Sequence, residues 1–296
     1  MLTTKFKIYA KRVAFLNLLF QSGIIVTGAI VRLTGSGLGC PTWPDCAPGS
    51  LVPIAEQAQG YRKFIEFGNR TLTFLVLAGA VALFVVAVKN KVRKIIYWSS
   101  IPIVGTFAQA ILGGITVLTG LNPVTVMAHF LLSLLLVAVS VKIYDYFKYS
   151  EDTRNDLSTM TNRFILLILL VGFLVVLMGT ITTGSGPHAG DEAAARFGLD
   201  IRNVAWLHAD LVFLFIGLIV GLNILTYYAS ELEPLRKDAK NLLIICLGQG
   251  FIGYVQWFAG LPWLLVALHV IGAVITWIFL IKLALKTNYS LLQSFK

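Results

Sequence analysis

Charge is what this sequence has least of. Only 13% of its 296 residues are Asp, Glu, Lys or Arg, against about 25% in an ordinary soluble domain, and 57% are hydrophobic where roughly 45–50% is usual. That scarcity excludes a soluble globular enzyme and an intrinsically disordered chain. Cysteine is scarce too: Cys40, Cys46 and Cys246 are too few for a disulfide scaffold. No phosphate loop, dinucleotide fingerprint, zinc-protease helix or nucleophile-elbow serine occurs. No secretory signal peptide is expected. The apolar run after Lys5, Lys7, Lys11 and Arg12 has the length of a span, with no small-residue cleavage site before the next polar stretch.

What is present is apolar length, with a mean hydropathy of +0.81. Eight apolar segments lie between polar breaks, approximately 13–33, 67–88, 95–118, 124–144, 163–183, 204–228, 241–259 and 263–283. Each is near the ~20 residues a helix needs to cross hydrocarbon while satisfying its own backbone. The expected fold is an all-α polytopic membrane protein with eight transmembrane helices. Gly260-Leu261-Pro262 separates the last two, because glycine and proline break helices.

The net charge is +10, from 24 Lys and Arg against 14 Asp and Glu. On a soluble chain that balance suggests nucleic acid. Beside eight spans it reads as basic loops held against anionic membrane lipid, and no nucleic-acid partner is expected. With the N-terminus inside, the outer side carries only Arg32, Arg62, Lys63, Arg70, Arg196 and Arg202. The inner side carries the remainder, including Lys89, Arg93, Lys142, Lys148, Arg154, Arg236, Lys282, Lys286 and Lys296. The expected location is a bacterial cell membrane with both termini cytoplasmic. The outer connections 34–66 and 184–203 are long, and those at 119–123 and 260–262 are short.

The two halves echo each other. Thr34-Gly35-Ser36-Gly37 closes the first span and Thr183-Gly184-Ser185-Gly186 the fifth. Gln109 precedes His129 by the interval at which Gln249 precedes His269. Phe67-Gly68-Asn69 opens the second span as Trp206-Leu207-His208 opens the sixth. Two four-span units of parallel topology predict two four-helix bundles, residues 1–150 and 151–296, related by a pseudo-twofold axis along the membrane normal. The core of each bundle can hold one ligand between facing helices.

The four histidines are His129, His188, His208 and His269. His188 lies in the second outer loop. The others lie near the outer ends of spans four, six and eight. One intramembrane histidine can be a simple helix-packing hydrogen-bonder. Three at one depth, two of them repeat-matched, point to a site. Imidazole suits the axial position of haem iron. His208 and His269, taken as lying on adjacent antiparallel spans, are expected to clamp one haem in the second bundle. The matching pair in the first bundle is Asn69 and His129. Asparagine is a poor iron ligand, so that site has one protein ligand and one open face. Spacing alone leaves zinc, or no metal, as alternatives.

Glu66 and Asn69 share a helix face. A carboxylate there can shuttle protons or stabilise charge beside a haem, or simply sit solvated at a helix end. Arg70 and Arg32 are outer-side cations suited to haem propionates or to lipid headgroups. Arg196 and Arg202 are equally ambiguous. Cys40 and Cys46 flank Pro41-Thr42-Trp43-Pro44-Asp45. A structural disulfide is favoured there over a redox-active pair. The loop's glycines and its Trp-Pro pair suggest an ordered cap, with Trp43 suited to the membrane interface.

Several of these residues resemble the haem A synthase family over nearly the whole chain. They are Thr27-Gly28-Ala29, the run from Thr34 through Cys40-Pro41-Thr42-Trp43-Pro44-Asp45-Cys46, and Glu66-Phe67-Gly68-Asn69-Arg70. The Gln109–His129 pair, Trp206-Leu207-His208 and Leu268-His269 complete the set. The resemblance implies oxidation of the C8 methyl of haem O to a formyl group by successive hydroxylations, giving haem A for cytochrome c oxidase. It implies a haem b on His208 and His269, a substrate haem O in the N-terminal half at His129, a catalytic role for Glu66, and a Cys40–Cys46 disulfide. It makes contacts with haem O synthase and with cytochrome oxidase assembly proteins reasonable. One departure stands out: many members carry histidine where this chain has Asn69. One protein ligand is then expected for an exchangeable substrate haem, with His188 or water as alternatives.

Three other readings compete. A bis-His electron-transfer cytochrome would make no haem A. A small-molecule transporter would place its polar residues near the membrane centre. A structural assembly subunit would bind no haem.

Overall fold

The computed structural model describes residues 4–149 and 157–287. Arg154 and Lys296 of the inner basic set lie outside them. Eight helices follow in order: α1 (Thr4–Leu33), α2 (Arg62–Asn90), α3 (Arg93–Leu118), α4 (Pro123–Lys148), α5 (Thr159–Ser185), α6 (Ile201–Tyr228), α7 (Glu233–Phe258) and α8 (Trp263–Ala284). All eight are long and apolar enough to span a membrane. Among the described residues there is no strand longer than an isolated Ala47–Ser50 bridge. The chain is thus an all-α multi-pass membrane protein.

The helices outrun the apolar segments that mark them. α1 begins at Thr4, and α7 begins at Glu233 behind a single 3-10 turn at Ser230–Leu232. Charged residues extend a helix beyond hydrocarbon where its backbone bonds still close, so apolar length gives only the lower bound of each helix. Starts are capped locally. The Asn122, Ser158 and Asp200 side chains accept from Val124, Thr161 and Asn203 backbone N–H groups, and Pro123 occupies the first turn of α4.

The break at Gly260-Leu261-Pro262 has a counterpart between α3 and α4. Gly260 and Leu261 have φ of 77° and 61°, and Gly120 and Leu121 have φ of 62° and 60°. Leu261 N–H bonds the Gln256 carbonyl and Leu121 N–H bonds the Thr116 carbonyl. Each turn reverses the chain by the same pair of left-handed residues.

Helices α1 and α3 each pack against both α2 and α4, and α5 and α7 each pack against both α6 and α8. Across the halves, α8 packs on α1 and α4, and α4 also packs on α5. Close approaches are made at small residues, as when Leu136 lies over Gly105 and Leu280 and Phe215 lie over Gly172. The largest apolar core joins Leu134 and Val137 of α4 to Ile165, Ile168, Ile219 and Leu280 of the second half. Within it, Trp277 Nε1 on α8 donates to the Leu134 carbonyl at 2.8 Å. An indole N–H buried this deeply needs such a partner, so the bond fixes α8 against α4.

Candidate functional site

The even-numbered helices all start at one end of the molecule, and each carries one candidate residue in its second turn: Asn69, His129, His208 and His269. Each faces a glycine on the preceding helix. A methyl carbon placed on Gly113, Gly179 or Gly253 would sit 3.3, 3.2 or 3.2 Å from Cε1 of His129, His208 or His269. The same carbon on Gly28 would lie 4.0 Å from Asn69 Nδ2. Each of the three imidazoles therefore turns its Cε1 edge into a close notch over a glycine, and Asn69 meets Gly28 at ordinary contact distance. None of these notches was singled out from the sequence. The signal was present, since Gly113 precedes His129 by the interval at which Gly253 precedes His269.

Glutamines hold the same turns. Gln109 Nε2 donates to the His129 carbonyl at 3.0 Å and to Ser133 Oγ at 2.6 Å. Gln249 Nε2 donates to the His269 carbonyl at 2.6 Å. These bonds go to backbone, so they fix the helix turn and leave the imidazoles uncommitted. Nδ1 of His129 and of His269 is buried without a hydrogen-bond partner. His208 Nδ1 also lacks a bond of standard geometry, although the Val175 carbonyl of α5 is its neighbour.

One expectation needs correcting. His208 and His269 do not lie on adjacent antiparallel helices. α6 and α8 run the same way and have no packing contact, because α5 and α7 lie between them. The two rings come from diagonally opposite helices, as do Asn69 on α2 and His129 on α4. A diagonal pair leaves the width of the bundle between its members, which is the arrangement a flat macrocycle with two axial donors requires. His188 does not reach the first half: its Nε2 lies 2.9 Å from the Leu261 carbonyl in the α7–α8 turn.

The chemistry of the donors fits haem better than a bare ion. Zinc takes three or four protein donors. Among the described residues, no three His, Cys, Asp or Glu side chains gather to hold a metal. A porphyrin supplies four nitrogens itself and asks the protein only for axial ligands, which uncommitted imidazoles can provide.

Around Asn69 the first half is organised by the outer loop. Cys40 and Cys46 form a disulfide with a Cα–Cα distance of 4.3 Å. Glu66 is buried, 5% exposed, so it is not a solvated helix-end carboxylate. Its Oε2 accepts from Cys40 N–H at 2.7 Å, and its Oε1 accepts from Arg70 Nη2 at 2.6 Å and Nε at 3.1 Å. Arg70 also donates to the carbonyls of Cys40, Thr42 and Asp45 at 2.6, 3.0 and 3.1 Å. Its whole guanidinium is thus engaged in holding the loop to α2. The Trp43 ring packs on Gly114, next to the glycine beneath His129, so the loop covers that end of the first half. Thr27 Oγ1 donates to Asn69 Oδ1 at 2.7 Å.

Two further outer cations, Arg32 and Arg196, have protein partners. Arg32 donates to the Thr183 carbonyl at 2.7 Å, joining the ends of α1 and α5. Arg196 ties the second outer loop through the carbonyls of Gly186, Ala194 and Pro187. Gly37 N–H bonds the Gly190 carbonyl at 2.8 Å, so the two long loops touch.

Residues 11–281 match the family described as cytochrome oxidase assembly protein. Similar proteins include the heme A synthase of Geobacillus kaustophilus, 31% identical over 108 residues, which are 36% of this chain and 32% of that protein. The heme A synthase of Lysinibacillus sphaericus is 33% identical over 115 residues, 38% of this chain and 36% of that protein. A third, from Shewanella oneidensis, is 25% identical over 207 residues, 65% of this chain and 61% of that protein. The chain thus spans about a third of the length of the first two relatives in these matches.

Proposed function

The chain belongs to the cytochrome oxidase assembly protein family, and from that premise we propose that it is a membrane oxidoreductase that converts the C8 methyl of haem O to the formyl group of haem A. The observation that carries the reading is the repeated notch. Four equivalent side chains face glycines, one in the second turn of each even-numbered helix: two histidines in the second half, and one histidine and Asn69 in the first. We assign His208 and His269 as the axial ligands of a resident haem b, and His129 as the ligand of the substrate haem. When bound, the resident haem supplies one-electron transfer.

The protein's own residues set the rest. Asn69 leaves one face of the substrate site without an iron ligand, which suits a molecule that must enter and leave. Its carboxamide, held by Thr27, orients whatever occupies that face. Glu66 is the proposed catalytic carboxylate, an acceptor for protons released as the methyl is oxidised. Arg70 and the Cys40 N–H hold its two oxygens in place. The loop under Trp43 excludes water from the site. The arrangement fits an orientation with these helix ends outside and both termini cytoplasmic, and it supports the two halves as pseudo-twofold-related bundles. Haem O synthase and oxidase assembly proteins are the proposed neighbours in the membrane.

The test is haem extraction and chromatography from cells making haem O, with and without this protein. A new haem A peak is expected, lost in His129→Ala while the bound haem b spectrum persists. Haem A formation in that variant overturns the assignment. Glu66→Gln keeps an acceptor for Cys40 N–H but loses the charge. Loss of haem A in Glu66→Gln, with the loop still oxidised and folded, assigns Glu66 to the chemistry; normal output assigns it to the loop alone. Bound haem b with no haem A, given haem O and electrons, favours the bis-His electron-transfer reading, which draws on the same His208–His269 pair.

A further inference from the structure

A groove of about 490 Å³ lies on the outside of the molecule where α1, α4 and α8 meet. It lies away from the ring-over-glycine positions. Its volume is in the range of ~300–1,000 Å³ typical of small-molecule sites. Leu19 and Val26 of α1 line it, with Ile271 and Phe279 of α8. Ser22 and Gly23 contribute no bulk. At one end the lining turns polar, with Asp145 and Lys148 of α4 and Lys282 of α8.

Length and charge identify the occupant. From Ile271 to Lys282, α8 rises about 16 Å at 1.5 Å per residue. That is about half of the ~30 Å hydrocarbon core, the depth of one leaflet. The charged end lies at the C-terminal ends of α4 and α8, where a headgroup of that leaflet would sit. Lys282 is bound to Asp238 at 2.5 Å. Lys148 and Lys286 both rest on the Tyr149 ring, at 5.0 and 5.2 Å from its centroid. Asp145 lies within electrostatic reach of all three lysines. Three ammonium groups against Asp145 and Asp238 leave the cluster with a positive excess.

We propose that this groove is a binding site for one anionic phospholipid, with an acyl chain along α1 and α8 and its phosphate at Lys148 and Lys286. Basic pockets between membrane helices bind anionic headgroups in this way. Lys282, already paired, places Asp238 and steadies the end of α8. Because the groove crosses from α1 and α4 to α8, a bound lipid bridges the two halves. The site holds whichever face of the membrane is cytoplasmic and whatever reaction the protein performs.

The experiment uses the purified full chain in detergent, with thermal unfolding followed as mixed micelles of defined lipid are added. Phosphatidylglycerol is expected to raise the unfolding temperature at concentrations at least tenfold lower than phosphatidylcholine of the same chains. Lys148→Gln combined with Lys286→Gln should abolish that difference. Gly23→Leu puts a bulky side chain into the groove, and its β-carbon meets nothing within 4 Å. It should abolish stabilisation by both lipids. Equal stabilisation of the unaltered protein by both lipids overturns the proposal. So does a phosphatidylglycerol preference that survives Gly23→Leu. Stabilisation by farnesol and not by phosphatidylglycerol would give the groove to an isoprenoid chain instead, and also overturns it.

Discussion

A hydrogen atom in place of a methyl group decides where each candidate ring lies. Gly253 meets His269 so closely that an added carbon would sit 3.2 Å from Cε1. A branched side chain would push the imidazole out of its notch while leaving its identity intact. Gly253→Val is therefore expected to lower bound haem several-fold, much as His269→Ala would, in a protein that still inserts. Haem per polypeptide, by pyridine haemochrome absorbance, checks this. Asn69 faces Gly28 at 4.0 Å, in the position where His208 faces Gly179 at 3.2 Å. Asn69→His is thus expected to add a second low-spin signature to the optical spectrum. The histidines themselves were legible from the sequence, because ionisable groups stand out in apolar spans. Their glycines were not, because a glycine in a membrane helix carries meaning only once the register of the neighbouring helix is known.

At the level of elements, the first outer loop is the most heavily bonded connection. Glu66 and Arg70, one turn apart on α2, hold Cys40, Thr42 and Asp45 through backbone groups. Arg70→Leu removes the fork, leaving a buried carboxylate and three carbonyls without their partner. Breaking a buried pair in this way costs about 3–5 kcal/mol. The expected result is a lower unfolding temperature and faster reduction of Cys40–Cys46 by dithiothreitol. Arg70→Lys should recover little, since one ammonium cannot span the sites that the planar fork does. The sequence marked Arg70 as an outer cation suited to haem propionates or lipid headgroups. Its role depends on how the loop folds back, which composition does not encode. By contrast, the α7–α8 turn was legible, since its glycine and proline act locally.

For the whole molecule, the distribution of basic residues predicts which ends face which compartment. Glu56 in the first outer loop and Lys237 near the start of α7 are both exposed. Cys246 is buried and the other cysteines are joined, so neither competes for label. In intact cells, a membrane-impermeant maleimide should label Glu56→Cys and spare Lys237→Cys until the membrane is opened. The reverse pattern would invert the orientation. The number of spans and the order of long and short loops were readable from hydropathy alone. The diagonal pairing of α6 with α8 was not, because hydropathy says nothing about which helices touch.

α8 packs against α1, α4, α5 and α7, and carries the Trp277 bond to Leu134. It also leaves the ribosome after the seven helices before it. Until it enters the bilayer, the faces of α1 and α4 that it covers stay open to lipid, and the second half lacks His269. Completion of the seam between the two halves therefore waits for α8, and a chain stopped short of it keeps the α4–α5 contact but presents to membrane proteases the uncovered faces of α1 and α4 and an incomplete second half.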